Sequence, residues 1–336
     1  ACTYWDIKEN GNFEGSSIPN RPRSDQDVAK VYRITAEELQ DQLRIARQKL
    51  MAVRTKRIRP LLDNKVLTSW NALMISAFAR AARVFGDSAF EKTAERAASF
   101  IFKNLKDESG RMLRRWCDGE ARYPAYLCDY AQMAMTCLDL YETTYDPDWF
   151  RKGCELSNEI KRLFRNENGP FYDTGTDGEV LLTRNAEGYD GVEPSGNSSV
   201  ANAFLRLNSY GLGSEFFEDA QRIFRCFSPM INQAGVSFCS MLSGLHFSLS
   251  EPKEVVISGR RGDAETEALL AEVRREFHPN TVTAYLEDGH SKLSEEIIPL
   301  TSGRPMLNGR ATAYVCQNQT CQLPVHTVEE LRELLD

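Results

Sequence analysis

The stretch Leu67-Thr68-Ser69-Trp70-Asn71 is predicted to begin a helix, and two later stretches are predicted to begin helices in the same way. They are Tyr126-Leu127-Cys128-Asp129-Tyr130 and Glu193-Pro194-Ser195-Gly196-Asn197-Ser198. The steps from Asn71 to Asp129 and from Asp129 to Asn197 are 58 and 68 residues, about the length of a helical hairpin plus a loop. Recurrence at such a spacing indicates a repeated supersecondary unit. The sequence therefore predicts stacked helical hairpins whose first helices begin at the same end.

Apolar periodicity supports the repeat. After Ser69, apolar residues recur at the i, i+3, i+4, i+7 spacing that is typical of a buried helix face. They are Trp70, Leu73, Met74, Ala77, Phe78, Ala81, Val84 and Phe85. This helix and five further ones, at about 89–105, 127–141, 147–164, 198–210 and 214–227, predict three hairpins.

The connections between the hairpins are long, about twenty and about thirty residues. Each contains an Asp-Gly pair, Asp118-Gly119 and Asp177-Gly178, next to strand-like runs at 112–116, 171–174 and 180–183. Asp-Gly between such runs is a strong signal for a β-hairpin. Long connections on a rigid scaffold are common positions for binding and catalytic groups. We therefore expect the functional side chains at the end of the helices where these connections lie.

The two ends of the chain have other patterns. Residues 10–34 read as loop, and Thr35 with Glu38 forms a capping box that opens a helix to about residue 52. From residue 251, strand-like runs at 255–258 and 281–286 flank a helix at 264–277, which predicts a βαβ unit. Strands at 311–316 and 321–325 follow, then a helix capped by Thr327. We predict three regions: 1–60, an N-terminal loop and helix that continues a domain truncated upstream; 61–250, an (α/α) hairpin domain; and 251–336, a small α/β lobe.

Composition excludes several classes of protein and ligand. The chain of 336 residues has a net charge of −7, which argues against nucleic acid as a partner because phosphate binding needs a basic face. No apolar run reaches the length of a membrane span, so no membrane partner is predicted. The nine cysteines are odd in number and scattered, which favours reduced thiols, a cytoplasmic location and no disulfide between Cys316 and Cys321. Those two cysteines lack a second pair, and neither a metal nor a cofactor is predicted.

Four stretches also resemble a known family. They are Glu9 to Gly15, Asp63 to Asn71, Tyr189 to Asn197 and Ala313 to Asn318, and together they are similar to the spermatogenesis-associated protein 20 family with its bacterial YyaL-like relatives. The resemblance implies a C-terminal portion of a longer protein, with an upstream thioredoxin-like domain as its partner. It also implies a mainly α fold, a six-hairpin (α/α) toroid like those of acylglucosamine 2-epimerases and some glycosidases. The predicted helices are too few to close a ring of about twelve, so we expect an incomplete toroid. Redox activity is not carried over, because the thioredoxin-like domain and its cysteines are absent from this sequence.

The candidate site residues lie at or before the repeated helix starts. Glycoside chemistry needs two carboxyl groups across one bond, and Asp129 with Asp190 or Glu193 could supply them from adjacent hairpins. The predicted catalytic residues are therefore Asp129, Asp190 and Glu193, and the predicted substrate-binding residues are Trp70, Asn71, Tyr130, Asn197 and Arg184. Each has a structural alternative: an acid at a helix start favours the helix dipole, Asn197 serves as a cap, Trp70 belongs to the core, and Arg184 pairs with Asp173.

These residues predict a carbohydrate-active or sugar-binding protein with glycosidase-type acid–base chemistry and a small carbohydrate-like ligand. Two alternatives stay open: a noncatalytic scaffold or binding protein, and an isomerase like the acylglucosamine 2-epimerases. An isomerase needs bases on both faces of a carbon, usually histidines. Of the four histidines, His246 alone falls in the predicted helical part, which supports that alternative weakly.

Overall fold

The computed structural model describes residues 1–289, 295–317 and 320–336. The chain forms two compact units, Ala1–Asp63 and Asn64–Asp336, and each is described by itself. The predicted division at 60/61 and 250/251 into three regions stays a prediction.

The first unit is built around two helices, α1 (Asp25–Tyr32) and α2 (Ala36–Arg54). The capping box of Thr35 and Glu38 at the start of α2 is confirmed. The loop predicted over 10–34 is wrong in its last part, because α1 forms there. Ser24 caps this helix by accepting a hydrogen bond from the Asp27 N–H, and the helix is too short for its apolar residues to show a period. Its buried residues pack in a small core that comprises Tyr4, Val28, Ala29, Leu39 and Leu43.

Three helical hairpins begin the second unit, as predicted. They are α3 (Thr68–Phe85) with α4 (Ser88–Asn104), α5 (Leu127–Thr144) with α6 (Pro147–Phe164), and α7 (Gly196–Ser209) with α8 (Ser214–Ala234). The first helices of the hairpins pack side by side in the order α3, α5, α7. The fold class, mainly α with (α/α) hairpins and a small α/β lobe, is confirmed.

The structure after the third hairpin differs from the prediction. α8 continues past Phe227 to Ala234, with Pro229 inside the helix. A short 3₁₀ turn follows, and a further helix, α9 (Cys239–Leu249), packs against α7. α9 therefore continues the row of first helices.

The first long connection contains the predicted hairpin. Strands β2 (Leu113–Cys117) and β3 (Glu120–Pro124) pair antiparallel, and β1 (Val66–Leu67) adds to β2. Asp118 and Gly119 both have positive φ, 51° and 87°, as a two-residue turn of the hairpin type requires. The turn chemistry read from the sequence is confirmed.

The second long connection does not contain the predicted hairpin. Residues 165–195, all of which the structure describes, include no strand. Asp177 does not face a partner strand, because its carboxylate pairs with the Arg111 guanidinium at 2.7 Å. Backbone groups bond to neighbouring elements instead, such as the Leu127 N–H to the Asp173 carbonyl at 2.9 Å. The ion pair with Arg111, 66 residues away in the sequence, therefore stabilises a conformation other than the hairpin that the Asp-Gly pair favours.

The α/β lobe contains the predicted βαβ unit: β4 (Lys253–Gly259), α10 (Ala264–Arg275) and β5 (Thr281–Glu287). β4 and β5 are parallel, whereas β6 (Thr312–Gln317) pairs antiparallel with β4, so the strand order is β5-β4-β6-β7. β7 (Thr320–Cys321) is shorter than predicted, and Val325 makes an isolated bridge to Ala313. The last helix, α11 (Val328–Leu335), has the predicted cap at Thr327.

The prediction of reduced thiols at Cys316 and Cys321 is wrong, because the two sulfurs form a disulfide. The reason lies in the register of the sheet: Cys316 on β6 is the direct cross-strand partner of Cys321 on β7. Sequence spacing alone does not reveal that register.

Among the helices of the described ranges, none has the length and apolar character needed to cross a membrane.

Candidate functional site

The structure brings the starts of α3, α5 and α7 together. The backbone N–H of Ser69, in the first turn of α3, donates to Asp129 Oδ1 at 3.0 Å. Gly196, the first residue of α7, lies so close to α5 that a Cβ there would stand 2.9 Å from the Leu127 side chain and 3.2 Å from the Cys128 nitrogen. Glycine is therefore needed at this position. The predicted convergence of helix starts has a physical basis in these contacts.

Asp129 lies at the centre of this junction and is fully buried. Its Oδ2 accepts from the Tyr126 N–H at 2.9 Å and from Arg114 Nη1 at 3.2 Å. Burial raises the pKa of the Asp129 carboxyl, although these donors and the Arg114 charge act in the opposite direction. Donors occupy both oxygens, and the Asp129 carboxylate joins the starts of α3 and α5.

Asp190 has a similar role at the next two helices of the row, α7 and α9. Its Oδ1 accepts from the Ser195 N–H at 2.9 Å, just ahead of α7. Its Oδ2 accepts from the N–H groups of Ser240 and Met241, at 2.9 and 3.0 Å, in the first turn of α9. The carboxylate therefore joins the starts of α7 and α9.

Asn197 is buried, and its amide binds backbone groups. It accepts from the Phe171 N–H at 2.8 Å and donates to the carbonyls of Phe171 and Glu187, both at 2.9 Å. The residue that caps α7 is Ser195, whose hydroxyl accepts from the Ser198 N–H at 3.0 Å. Asn197 thus fixes the second long connection against α7 and is not the cap that we expected.

The remaining predicted residues are spread over several environments. Trp70 is 60% exposed on α3, and the Asn71 amide donates to the Leu67 carbonyl at 2.8 Å. Tyr130 is buried, and its hydroxyl accepts from the Met112 N–H at 3.0 Å.

Arg184 does not pair with Asp173. Its guanidinium lies over the Tyr172 ring, 4.2 Å from the centroid, and donates to the carbonyls of Leu163 and Thr174. The Asp173 carboxylate instead accepts from the Asn185 side chain and from the Glu187 N–H. Arg184 therefore organises the second long connection.

A cleft of about 800 Å³ opens beside the junction, and we call it the outer cleft. It lies between β2, the start of α5 and the end of the second long connection. Its walls are formed by Arg114, Tyr126, Cys128, Asp173, Glu187, Tyr189, Gly191, Val192, Glu193, Pro194, Ser195 and Gly196. Among the predicted catalytic residues, Glu193 lines this cleft.

Glu193 differs from the other two predicted acids in its bonding. Its Oε2 is buried, and none of the residues that the structure describes supplies it with a hydrogen-bond donor. A buried carboxylate oxygen without a donor is costly and requires a specific explanation.

Asp173 is a second carboxyl group in the outer cleft. Burial raises the pKa of Asp173, and the nearby charge of Glu187 adds to the effect. Glu187 itself accepts from the Gly188 and Tyr189 N–H groups, at 3.1 and 2.9 Å. The cleft therefore combines an acid of raised pKa with an unpartnered carboxylate oxygen, although our list of catalytic residues did not include Asp173.

Aromatic side chains complete the walls. Tyr126 and Tyr189 are 44% and 56% exposed, and the Arg114 guanidinium lies 4.7 Å from the centroid of the Tyr126 ring. Arg114 and both tyrosines could be found from the sequence only by their place in the long connections, because nothing in their local pattern distinguishes them. Within the described part of the chain, no three His, Cys, Asp or Glu side chains are grouped so that they could hold a metal ion.

Comparisons with known proteins confirm the resemblance to the spermatogenesis-associated protein 20 family. The chain is 29% identical over 353 residues, 99% of its length, to spermatogenesis-associated protein 20 of Homo sapiens. It is also 29% identical to the Mus musculus protein and to an uncharacterized protein of Caenorhabditis elegans, again over 99% of its length. The chain spans about half the length of these relatives, 45% of the two mammalian proteins and 48% of the nematode protein. No protein-family model matches it.

Several solved structures are similar to the chain in part. The GH76 α-mannanase of Bacteroides thetaiotaomicron superposes with a TM-score of 0.45 at 13% identity, over 64% of this chain and 59% of its own. A family 105 glycoside hydrolase of C. acetobutylicum has a TM-score of 0.40 at 14% identity, over 67% and 68%. The cellobiose 2-epimerase of Spirochaeta thermophila has a TM-score of 0.40 at 13% identity, over 48% and 43%.

Proposed function

We propose that the outer cleft binds a carbohydrate and that Glu193 and Asp173 form its acid–base pair. The observation that supports this most directly is the buried Oε2 of Glu193 without a donor. A sugar hydroxyl is a donor of suitable size and strength, and a rotation of the Glu193 side chain, which lines the cleft, would bring Oε2 within its reach.

The rest of the cleft suits the same class of ligand. Exposed rings of Tyr126 and Tyr189 offer apolar faces for the C–H surface of a sugar, and Arg114 offers N–H donors to its oxygens. The volume of about 800 Å³ is in the range of small-molecule sites. Apolar faces with a few polar groups are the usual composition of such a site.

The proposed chemistry follows from the two carboxyl groups. Asp173 accepts hydrogen bonds of 3.1 and 3.2 Å from the Asn185 side chain and the Glu187 N–H, yet burial still raises its pKa. We therefore assign to Asp173 the proton that the oxygen of the leaving group would receive. Glu193 would act on the other side of the bond as the base or nucleophile, as glycoside hydrolysis requires. Asp129 and Asp190 hold the helix starts that carry these groups, which is a positioning role.

Binding and chemistry need separate tests. Isothermal titration calorimetry against a panel of neutral mono- and disaccharides and uronic acids would detect binding. Glu193→Ala should weaken the binding of any sugar that binds the wild type by about tenfold, because one charge-assisted hydrogen bond is lost. Glu155→Ala, which removes an exposed carboxylate on α6, is the matched control and should bind like the wild type. If none of the sugars binds, or if both variants behave alike, the carbohydrate proposal is wrong.

Hydrolysis would be followed with disaccharides, by the release of reducing sugar, because their poor leaving groups need a proton donor. If the pair is catalytic, Asp173→Asn and Glu193→Gln should each reduce the rate by at least a hundredfold while the sugar still binds. Sugar binding without hydrolysis in the wild type would instead identify a noncatalytic binding protein.

A further inference from the structure

A second cleft, of about 790 Å³, is lined by other residues of the helical row, and we call it the inner cleft. It is bordered by the later turns of α3, α5 and α7, by α9, and by residues 273–283 of the lobe. None of the residues that we predicted for the site lines it. Its floor, which we call the ionic floor, comprises Arg80, Arg83, Asp139, Glu142 and Arg206.

The ionic floor is tightly connected. Arg206 donates to Asp139 Oδ1 at 2.9 Å and lies 3.0 Å from Glu142 Oε1. Arg80 donates from Nε to Asp139 Oδ2 at 3.0 Å, and Arg83 donates to Glu142 Oε2 at 2.6 Å. Burial alone would raise the pKa of Asp139, but the three arginines hold it well below its usual range. Both carboxylates are therefore ionised at neutral pH.

The acceptors of this floor are saturated, whereas its donors are not. Each of the four carboxylate oxygens has at least one donor, and Ser76 and Tyr210 add hydroxyl donors to those of the arginines. Each guanidinium carries five N–H groups, more than the two carboxylates can accept. Arg80 is the accessible member, with 54% of its side chain exposed. The floor therefore presents spare donors to whatever enters the cleft.

The charges of the floor do not balance. Three guanidinium groups face two carboxylates, which leaves one net positive charge. The excess charge belongs to Arg80, whose side chain is 54% exposed, so the cluster presents an accessible positive charge to the cleft. The excess charge and the spare donors both favour an anion.

Apolar side chains form part of the walls of the inner cleft, beside polar ones that include Arg274 and Glu276, whose opposite charges offset each other. Val84, Leu242, Phe247 and Phe277 border it, and Phe277 is 89% exposed. A small inorganic anion would leave these surfaces in contact with water. A ligand with an apolar body would cover them, which is favourable because apolar surface is removed from water.

We propose that the inner cleft binds an organic anion, a carboxylate or phosphate ester on an apolar body, through the guanidinium of Arg80 with support from Arg83. Arginine suits this task because its planar fork matches the geometry of both anions. This site is separate from the outer cleft, and its existence does not depend on a carbohydrate function there.

The test uses three probes of similar size: 4-phenylbutyrate, phenyl phosphate and the uncharged 4-phenylbutan-1-ol. Calorimetry on the full chain should show binding of at least one anion, at least tenfold tighter than that of the alcohol. The stronger of the two anions then identifies a carboxylate or a phosphate ester as the preferred group. Equal binding of all three probes, or no binding of either anion, would overturn the proposal.

Variants locate the site. Arg80→Gln should weaken binding of the anion at least tenfold and leave the weak binding of the alcohol unchanged. Arg96→Gln, which removes an exposed arginine on α4, is the matched control and should bind like the wild type. Ser243→Trp, which places a bulky side chain in the wall formed by α9, should block both kinds of probe. Should Arg80→Gln and Ser243→Trp, both with wild-type melting temperatures, bind the anion normally, the ligand lies elsewhere and the inference fails.

Discussion

The carboxylate of Asp129 on α5 accepts a hydrogen bond from the backbone N–H of Ser69 on α3, at 3.0 Å across 60 residues of sequence. A helix leaves its first N–H groups without partners inside the helix, and here a neighbouring helix supplies the acceptor. The same carboxylate accepts from the Tyr126 N–H ahead of α5. One side chain thus sets the relative position of two consecutive hairpins.

The first prediction concerns this junction. Asp129→Asn should lower the free energy of unfolding by about 1–3 kcal/mol, because an amide NH₂ would face an N–H donor that is buried. Urea unfolding followed by circular dichroism measures the change. Asp148→Asn is the control: this acid lies in the first turn of α6 but is exposed, and its loss should cost less than about 0.5 kcal/mol. Equal effects of the two substitutions would show that Asp129 contributes no more to the free energy of unfolding than an exposed acid does.

A second prediction concerns the start of α9. Asp190→Ala removes the acceptor of the Ser240 and Met241 N–H groups, so these two amides should exchange with solvent faster, by about tenfold, which corresponds to about 1.4 kcal/mol. Hydrogen exchange followed by NMR reports them individually. Asp87→Ala, which removes the cap of α4, should accelerate exchange at Ala89 and leave α9 unaffected. Unchanged protection at Ser240 in Asp190→Ala would contradict the assigned role.

The third prediction concerns acid stability. Hydrogen bonds from Arg332 and Arg275 lower the pKa of Glu272 to about 2, below its value in the unfolded chain. A lowered pKa in the folded state stabilises the protein above the unfolded pKa of about 4.3, and this contribution is lost as the pH falls toward 2. Glu272→Gln should therefore lose stability less steeply than the wild type between pH 4.5 and 3. The difference at pH 7 should be about 1–2 kcal/mol, less than the full shift implies because both arginines are partly exposed. Parallel stability curves for the two proteins would exclude this coupling.

The fourth prediction concerns the thiols. Seven cysteines keep their thiols, and two form the disulfide of the β6–β7 hairpin. Iodoacetamide added to the unfolded, unreduced protein should therefore label seven thiols, and prior reduction should raise the number to nine. Intact-mass spectrometry counts the labels. Nine labels without a reductant would show that all nine cysteines are reduced, as the composition of the sequence suggested.

The helices could be predicted because their signals are local. Apolar periodicity after Ser69, the capping box at Thr35 and the Asp146-Pro147 turn each depend on neighbours within one or two turns of a helix. The hairpin at Asp118-Gly119 also follows from adjacent residues. In each of these cases, tertiary contacts reinforce the local preference.

The features that were missed depend on distant partners. Asp177 and Gly178 have the same local signal as Asp118 and Gly119, yet Arg111 binds Asp177 and no hairpin forms. The carboxyl groups of the site divide in a similar way. Sequence places Asp129, Asp190 and Glu193 near helix starts but cannot show which of them meet backbone donors from other elements. Those donors separate the two positioning acids from Glu193, whose Oε2 has none among the described residues.

The packing of α5 has a consequence for how this protein can change during evolution. Fifteen of the eighteen residues of α5 are buried, with α3 and α7 on its sides and α6 against it. Nearly every substitution there changes the packed volume or leaves a polar group without a hydrogen-bond partner. Few alternatives are therefore tolerated at successive positions, and not only at every third or fourth position. In a library of random variants selected for folded protein, α5 should therefore appear as an unbroken block of intolerance, whereas α4 and α6 should tolerate change on their outer faces. Adaptation to a new ligand is then left to the long connections, which can vary while this helix stays fixed.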